Sequence, residues 1–206
     1  MTRDFVRKVC LEEPDLEVVA EASTGYEAVE RILQTHPDVV VLDIGLPDFD
    51  GIEVLSRVRE NGVRPKALIL SSNGNPYVVF RIEQAAVQGF VDKREQTADT
   101  LRFAIRSIRS NRTYFSESFN RIRNRRHLDP FAFDKLLTNQ QMLVLAMVAD
   151  LISDEKIASS LAISERTVEA HRTAIMRKLG VHSRTELILF AKMQGFTSGQ
   201  SQSNLS

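Results

Sequence analysis

Along the first 110 residues, short runs of β-branched and aliphatic residues alternate with stretches whose apolar positions recur at helical spacing. Phe5, Val6, Val9 and Cys10 share one helical face, and Glu17-Val18-Val19-Ala20 reads as a strand, so the first element is a helix. Thr24-Gly25-Tyr26-Glu27 has capping-box spacing and opens a second helix, which ends near His36-Pro37 because the residue before proline avoids helical backbone. Val39-Val40-Val41-Leu42 follows as a buried strand. Helical stretches over 52–60, 76–88 and 98–110 alternate with apolar runs at 67–70 and Phe90-Val91. That alternation predicts an α/β domain in which crossover helices join parallel strands.

After Ser110 the pattern breaks. Arg121-Ile122-Arg123-Asn124-Arg125-Arg126 and Asp129-Pro130 read as a partly helical linker, whose arginines either touch nucleic-acid phosphate or serve as a soluble spacer. Then come helices without strands. Thr138-Asn139-Gln140-Gln141 has capping-box spacing and opens a helix carrying Leu143, Val144, Met147 and Val148. Ser153, Ser164 and Ser183 supply three further N-caps, the last in a Ser183-Arg184-Thr185-Glu186 box. The helix from Ser153 ends near Leu161, and Ala162-Ile163 is a tight turn into the longer helix from Ser164, which is helix-turn-helix spacing. The expected organisation is an α/β domain over 1–112, a linker over 113–134, an all-α four-helix domain over 135–197 and a flexible polar tail over 198–206.

The formal net charge of zero hides an asymmetry. Residues 1–94 carry 11 basic and 16 acidic side chains, a net of −5, and the remainder carries 16 and 11, a net of +5. A basic second half suits a polyanion. No apolar run approaches the roughly 18 to 20 residues of a membrane helix. Met1-Thr2-Arg3-Asp4-Phe5 is not a secretory signal, and the single Cys10 forms no internal disulfide, so a cytoplasmic protein is expected. The four histidines, His36, His127, His171 and His182, are scattered, and none has a second ligand at metal spacing.

In the helix from Ser164, Val168, Ile175 and Leu179 fall on an inward face with His171, while Arg166, Glu169, Ala170 and Thr173 project from another. The outward face would present its first two turns to base edges in a major groove, with Arg172, Arg177, Lys178 and Arg184 placed for phosphates. Leu137-Thr138, Ile157-Ala158, Ile163-Ser164-Glu165-Arg166-Thr167-Val168, His171-Arg172 and Arg177-Lys178-Leu179-Gly180 resemble the C-terminal DNA-binding domain of the LuxR/FixJ regulators over about 137–196. The resemblance implies double-stranded DNA as partner, with Ser164, Arg166, Thr167, Glu169, Ala170, His171, Arg172, Thr173, Arg177, Lys178 and Arg184 as DNA-binding residues and a homodimer on DNA. Three positions depart from the pattern: Gln141 where Glu is usual, Ala162 where the turn has Gly, and Glu169 where a base-facing residue is basic or amide. Glu169 either accepts from a cytosine amino group or only lowers nonspecific affinity.

Asp43 directly follows a buried strand, so its carboxylate emerges at the carboxyl end of the sheet, where open α/β sheets place their sites. Ser71 and Lys93 end the next two candidate strands. A nucleophilic carboxylate, a donor hydroxyl and an ammonium at one sheet edge suit a phosphoryl group. Val41-Leu42-Asp43-Ile44-Gly45-Leu46-Pro47 with Asp50-Gly51, then Leu70-Ser71-Ser72, then Gly89-Phe90-Val91-Asp92-Lys93 resemble the receiver domain of two-component response regulators. By that resemblance Asp43 is the phospho-acceptor, Ser71 the switch hydroxyl, Phe90 the reorienting aromatic and Lys93 the phosphate-binding lysine. It implies Mg²⁺ at Asp43 and the Gly45 backbone, a sensor histidine kinase as partner, and a flavodoxin-like parallel sheet. Receiver and LuxR-type domain in this order match the NarL/FixJ subfamily.

Family receivers begin with a strand ending in two acidic residues that help hold Mg²⁺, whereas here Met1 already lies at the first helix. One expectation is that about ten to fifteen further residues precede Met1 in the natural protein, because Asp43, Ser71 and Lys93 are all in place. The other is a truncated receiver that regulates without phosphorylation, as an interaction surface. Catalysis is not expected: a phosphohydrolase of the haloacid dehalogenase type wants a second aspartate two residues after the first, and that position is Gly45. A module whose basic half binds acidic proteins would keep its binding after loss of the Arg166 and Thr173 side chains, and DNA footprinting separates the two.

Overall fold

The structure is a computed structural model that describes residues 2–72 and 74–196, so the tail expected over 198–206 lies outside the described residues. The chain divides into two compact units, one comprising Met1–Gly74 with Arg81–Arg121, the other Asn75–Phe80 with Ile122–Ser206.

The first unit is built on four parallel strands in the order β1-β2-β3-β4: β1 (Val39–Asp43), β2 (Lys66–Ser71), β3 (Gly89–Asp92) and β4 (Tyr114–Phe115). Around them run α1 (Thr2–Leu11), α2 (Gly25–Thr35), α3 (Gly51–Glu60) and α5 (Ala98–Arg109), while α4 (Pro76–Gln84) is divided between the units after Phe80. β2 and β3 are flanked by strands on both sides, and from Ala67 on every residue of both is buried. That explains why they read as unbroken apolar runs rather than alternating ones. On one side of the sheet Val9, Leu68, Leu70, Val91, Leu101, Ala104, Ile105 and Ile108 form a core cluster. Helix α6 (Glu117–Leu128) starts in this unit, where Phe119 is fully buried.

Three local readings change. Glu17-Val18-Val19-Ala20, expected as a strand, has no strand structure: a strand exists through its ladder, and among the described residues β1 pairs only with β2. Tyr114-Phe115, placed in the linker by its polar flanks, instead extends the sheet, with Gly89 opposite Tyr114 and Phe90 opposite Phe115. Helix α4 stops at Gln84, four residues short of the expected end, and Ala86 takes a left-handed backbone at φ 48°.

The second unit holds α7 (Phe133–Leu136), α8 (Asn139–Ala149), α9 (Asp154–Leu161), α10 (Glu165–Leu179) and α11 (Arg184–Gln194). α8 is buried on nearly all sides because α10 and α11 both pack on it, and α10 packs on α9. Leu145, Val148, Ile157, Val168, Ile175, Leu187 and Ala191 form the interior. The N-caps fall where the hydroxyls predicted, at Thr138, Ser153, Ser164 and Ser183. Thr138 and Gln141 form a complete reciprocal box. The other two boxes are displaced by one residue: Glu186 accepts from the His182 N–H rather than that of Ser183, and Glu27 accepts from Ser23. Among the described residues no helix is long and apolar enough to cross a membrane.

Candidate functional site

In the first unit the site sits at the carboxyl ends of three neighbouring strands. The register sets Asp43 opposite Leu70 and Ser71 opposite Asp92, so Asp43, Ser71 and Lys93 emerge at one edge. The Lys93 ammonium donates to Asp43 Oδ2, and Asp43 Oδ1 accepts from the Gly45 N–H at 2.9 Å. Both side chains keep an exposed portion, 18% for Lys93 and 31% for Asp43. Ser71 is buried at the end of β2, and its carbonyl accepts from the Lys93 N–H at 3.0 Å, which ties the lysine to the strand beside the acid. A carboxylate whose two oxygens are both held, one by an ammonium, is oriented as a nucleophile with its counter-charge already in place.

The loop after β1 is shaped by two more aspartates. Asp50 caps α3, accepting from the Ile52 and Glu53 N–H groups, and also takes the Arg81 guanidinium. The Asp48 carboxylate accepts from the Gly25 and Tyr26 N–H groups at 2.7 and 2.9 Å, at the start of α2. Partial burial would raise the Asp48 carboxyl, but these backbone donors outweigh it and hold it below the ordinary carboxylate value.

Phe90, expected to reorient, is fully buried in β3 with its ring 5.1 Å from that of Phe119, which stacks on Phe115 at 4.7 Å. Beside it stands a group that sequence reasoning missed. Asp92 is fully buried, accepts two hydrogen bonds from the Arg94 guanidinium and one from the Arg94 N–H, and takes a fourth from the Ser118 hydroxyl at 3.3 Å. The Arg94 guanidinium holds the Asp92 carboxyl below its ordinary value, overriding the upward push of burial. An acid beside Lys93 looks like a surface charge in the sequence, and only the i, i+2 arginine hints at a partner.

Since the Asp48 and Asp92 carboxyls are both depressed in the folded state, the stability they add is fully present above the unfolded value of about 4 and is lost as pH falls through the folded values. Urea unfolding of the sheet-containing unit should therefore show a midpoint that falls most steeply below about pH 4. An unchanged midpoint between pH 6 and pH 3 would contradict this.

Mg²⁺ favours near-octahedral oxygen coordination. Asp43 and the Gly45 backbone supply at most one carboxylate and one carbonyl, and among the described residues no group of three or more His, Cys, Asp or Glu side chains could hold a metal. The described residues do not by themselves compose a Mg²⁺ site.

In the second unit, Ala162 ends α9 at φ 53° and ψ 44°, a left-handed conformation that glycine adopts freely and that costs alanine about 1–2 kcal/mol. Val168 and Ile175 on α10 are fully buried, with His171 and Leu179 half-buried. Ser164 caps the helix by accepting from the Thr167 N–H at 3.1 Å. Arg166, Glu169, Ala170 and Thr173 are exposed and, with Ala174 and Arg177, line an open cleft of about 390 Å³. The cations divide into two groups. Arg172 is drawn onto Asp154 of α9, Arg184 of α11 approaches the same carboxylate at 3.8 Å, and Lys178 donates to Gln141 of α8 at 2.9 Å. Arg166 and Arg177 make no hydrogen bond or ion pair among the described residues.

Residues 2–106 match the family model described as the response regulator receiver domain, and residues 135–191 match that of the bacterial regulatory proteins of the luxR family. The Fimbriae Z protein of Salmonella typhimurium strain LT2 is 36% identical over 86% of this chain and 85% of its own. The nitrate/nitrite response regulator protein NarP of Escherichia coli K12 is 33% identical over 95% and 92%. Among solved structures, RcsB from Salmonella enterica serovar Typhimurium, bound to a promoter in the presence of phosphomimetic BeF3-, aligns with a TM-score of 0.62 at 21% identity over 92% of each chain. A structure of two RcsB dimers bound to two parallel DNAs aligns with a TM-score of 0.57 at 20% identity, over 91% and 90% of the two chains. These two establish likeness of fold. With a receiver match over half its length and relatives above 30% identity along nearly all of it, the chain belongs to the response regulators that join a receiver domain to a LuxR-type helical domain, which are DNA-binding transcription regulators and not enzymes.

Proposed function

We propose that Asp43 is the phospho-acceptor of this regulator and that its phosphorylation by a sensor histidine kinase controls duplex binding by α10. The observation that carries the reading is the Lys93 ammonium on the Asp43 carboxylate, beside Ser71, at one sheet edge. An Asp43 oxygen attacks the phosphorus of a phosphohistidine, the P–N bond breaks, and the imidazole departs. Lys93 and the Ser71 hydroxyl then hold the phosphoryl oxygens. The change of charge biases two receiver states, and the DNA-binding unit acts in the cytoplasm as a homodimer on DNA, as RcsB does in its DNA-bound dimers.

A second reading is a regulator that binds DNA without phosphorylation and uses its receiver as an interaction surface. Incubation with acetyl phosphate and Mg²⁺ separates the two. The first reading expects the mass of one phosphoryl group to be gained, no gain in Asp43→Asn, and duplex binding that changes with the modification. Duplex binding by a wild-type chain that takes up no phosphoryl group would leave the second reading standing.

A further inference from the structure

Glu169 is the one acidic side chain in the cleft on the outward face of α10, between Arg166 one turn before it and Thr173 one turn after. Nothing in the unit accounts for it. It is exposed and makes no hydrogen bond or ion pair among the described residues. Glu165 stands four residues before it on the same helix, a like-charge spacing that slightly destabilises a helix. Arg172, three residues after it, is engaged by Asp154 instead. Ala170 and Ala174 line the same cleft, and their small side chains leave the carboxylate room to reach outward.

A carboxylate on a surface that meets DNA is repelled by every phosphate and recovers that loss only by accepting a hydrogen bond. The major groove offers two donors, the cytosine N4 amino group and the adenine N6 amino group. Adenine carries the N7 acceptor beside N6, which repels a carboxylate, whereas cytosine has no acceptor next to N4 on its major-groove edge. We infer that Glu169 reads a cytosine in each half-site, which makes it a specificity-determining residue of α10. Arg166, one turn away and unpaired among the described residues, has the chemistry to take the O6 and N7 acceptors of a guanine. The assignment rests on the reading that α10 enters the major groove.

The test is binding-site selection by the full-length chain from a pool of randomised duplexes, followed by affinities for the selected site and its single-base variants. Wild type should select cytosine at one position of each half-site and lose on the order of tenfold in affinity when another base stands there. Glu169→Ala should lose discrimination at that position alone, and Glu169→Gln should move the preference to adenine, whose N6 and N7 suit an amide. N4-methylcytosine at that position keeps the pair with guanine and puts a methyl where the groove-facing N4 hydrogen was, and should weaken wild type by a similar factor while affecting Glu169→Ala far less. If Glu169→Ala instead binds all sequences more tightly with unchanged base preferences, the carboxylate only repels the backbone and the inference is overturned. If wild type enriches no duplex at all, the major-groove reading fails, and this assignment with it.

Discussion

Asp134→Ala should lower the stability of the helical unit by about 3 kcal/mol and its Tm by on the order of 10 °C or more. Arg126 near the end of α6 is 5% exposed and donates to Asp134 at the start of α7, itself 17% exposed. Neither charge is well hydrated, so removing the acid takes the carboxylate counter-charge from a buried guanidinium, whose contacts with the His127 ring nitrogen and the Phe80 ring supply no negative charge in its place. The neighbouring turn leaves little room for Arg126 to relax, because Lys135 stitches it by donating to the carbonyls of His127 and Asp129 at 2.7 Å each. Replacing both partners by apolar residues of similar volume, Arg126→Met with Asp134→Leu, should recover most of the loss, since desolvation of the pair offsets much of its attraction. Thermal unfolding of the single and double variants checks the claim, and a single variant as stable as wild type would refute it.

Gly51→Ala is the second change with a large expected effect. Gly51 opens α3 and donates its N–H to the Ile44 carbonyl, so the chain folds back tightly onto the end of β1. A Cβ there would overlap the Asp43 carbonyl oxygen and stand 3.3 Å from the Leu42 Cβ. The obstacle is the backbone of the strand that presents Asp43, which cannot swing aside as a side chain can. Overpacking of this kind costs about 1–3 kcal/mol. The variant should therefore show both a lower urea midpoint and slower phosphoryl uptake at Asp43. Gly25→Ala is the comparison, since the nearest atoms to its Cβ would be those of the Phe49 ring, at 2.7 Å, a side chain rather than backbone. Equal midpoints and equal labelling for Gly51→Ala and wild type would show that the loop is looser than this packing implies.

What was legible in the sequence follows from the range of the forces involved. Helix starts depend on a hydroxyl and an N–H three residues apart, and four of them in the helical unit were read correctly at Thr138, Ser153, Ser164 and Ser183. Asp43 and Lys93 lie 50 residues apart, yet each ends an apolar run and so declares its place at the edge of a parallel sheet. Tyr114-Phe115 has no such signal. Two residues become a strand because Gly89 and Phe90 lie alongside, and Glu17-Val18-Val19-Ala20, with better strand propensity, remains irregular where no ladder partner is described. The internal commitments of Arg172 and Lys178 were invisible for the same reason: Asp154 lies 18 residues away and Gln141 lies 37 away, on other helices.

Those commitments bear on how the regulator responds to ionic strength. Affinity gained by neutralising phosphate is gained by releasing counterions, at about 0.9 in the logarithmic salt slope for each contact on a duplex. A guanidinium already held by Asp154 and an ammonium already held by Gln141 must leave those partners before they displace a counterion. On the proposed interface, the cations of α10 that would release counterions without that exchange are Arg166 and Arg177. On the proposal that α10 meets the duplex, it is lightly charged toward its target, and its preference among sequences should survive in salt that strips away binding by attraction alone.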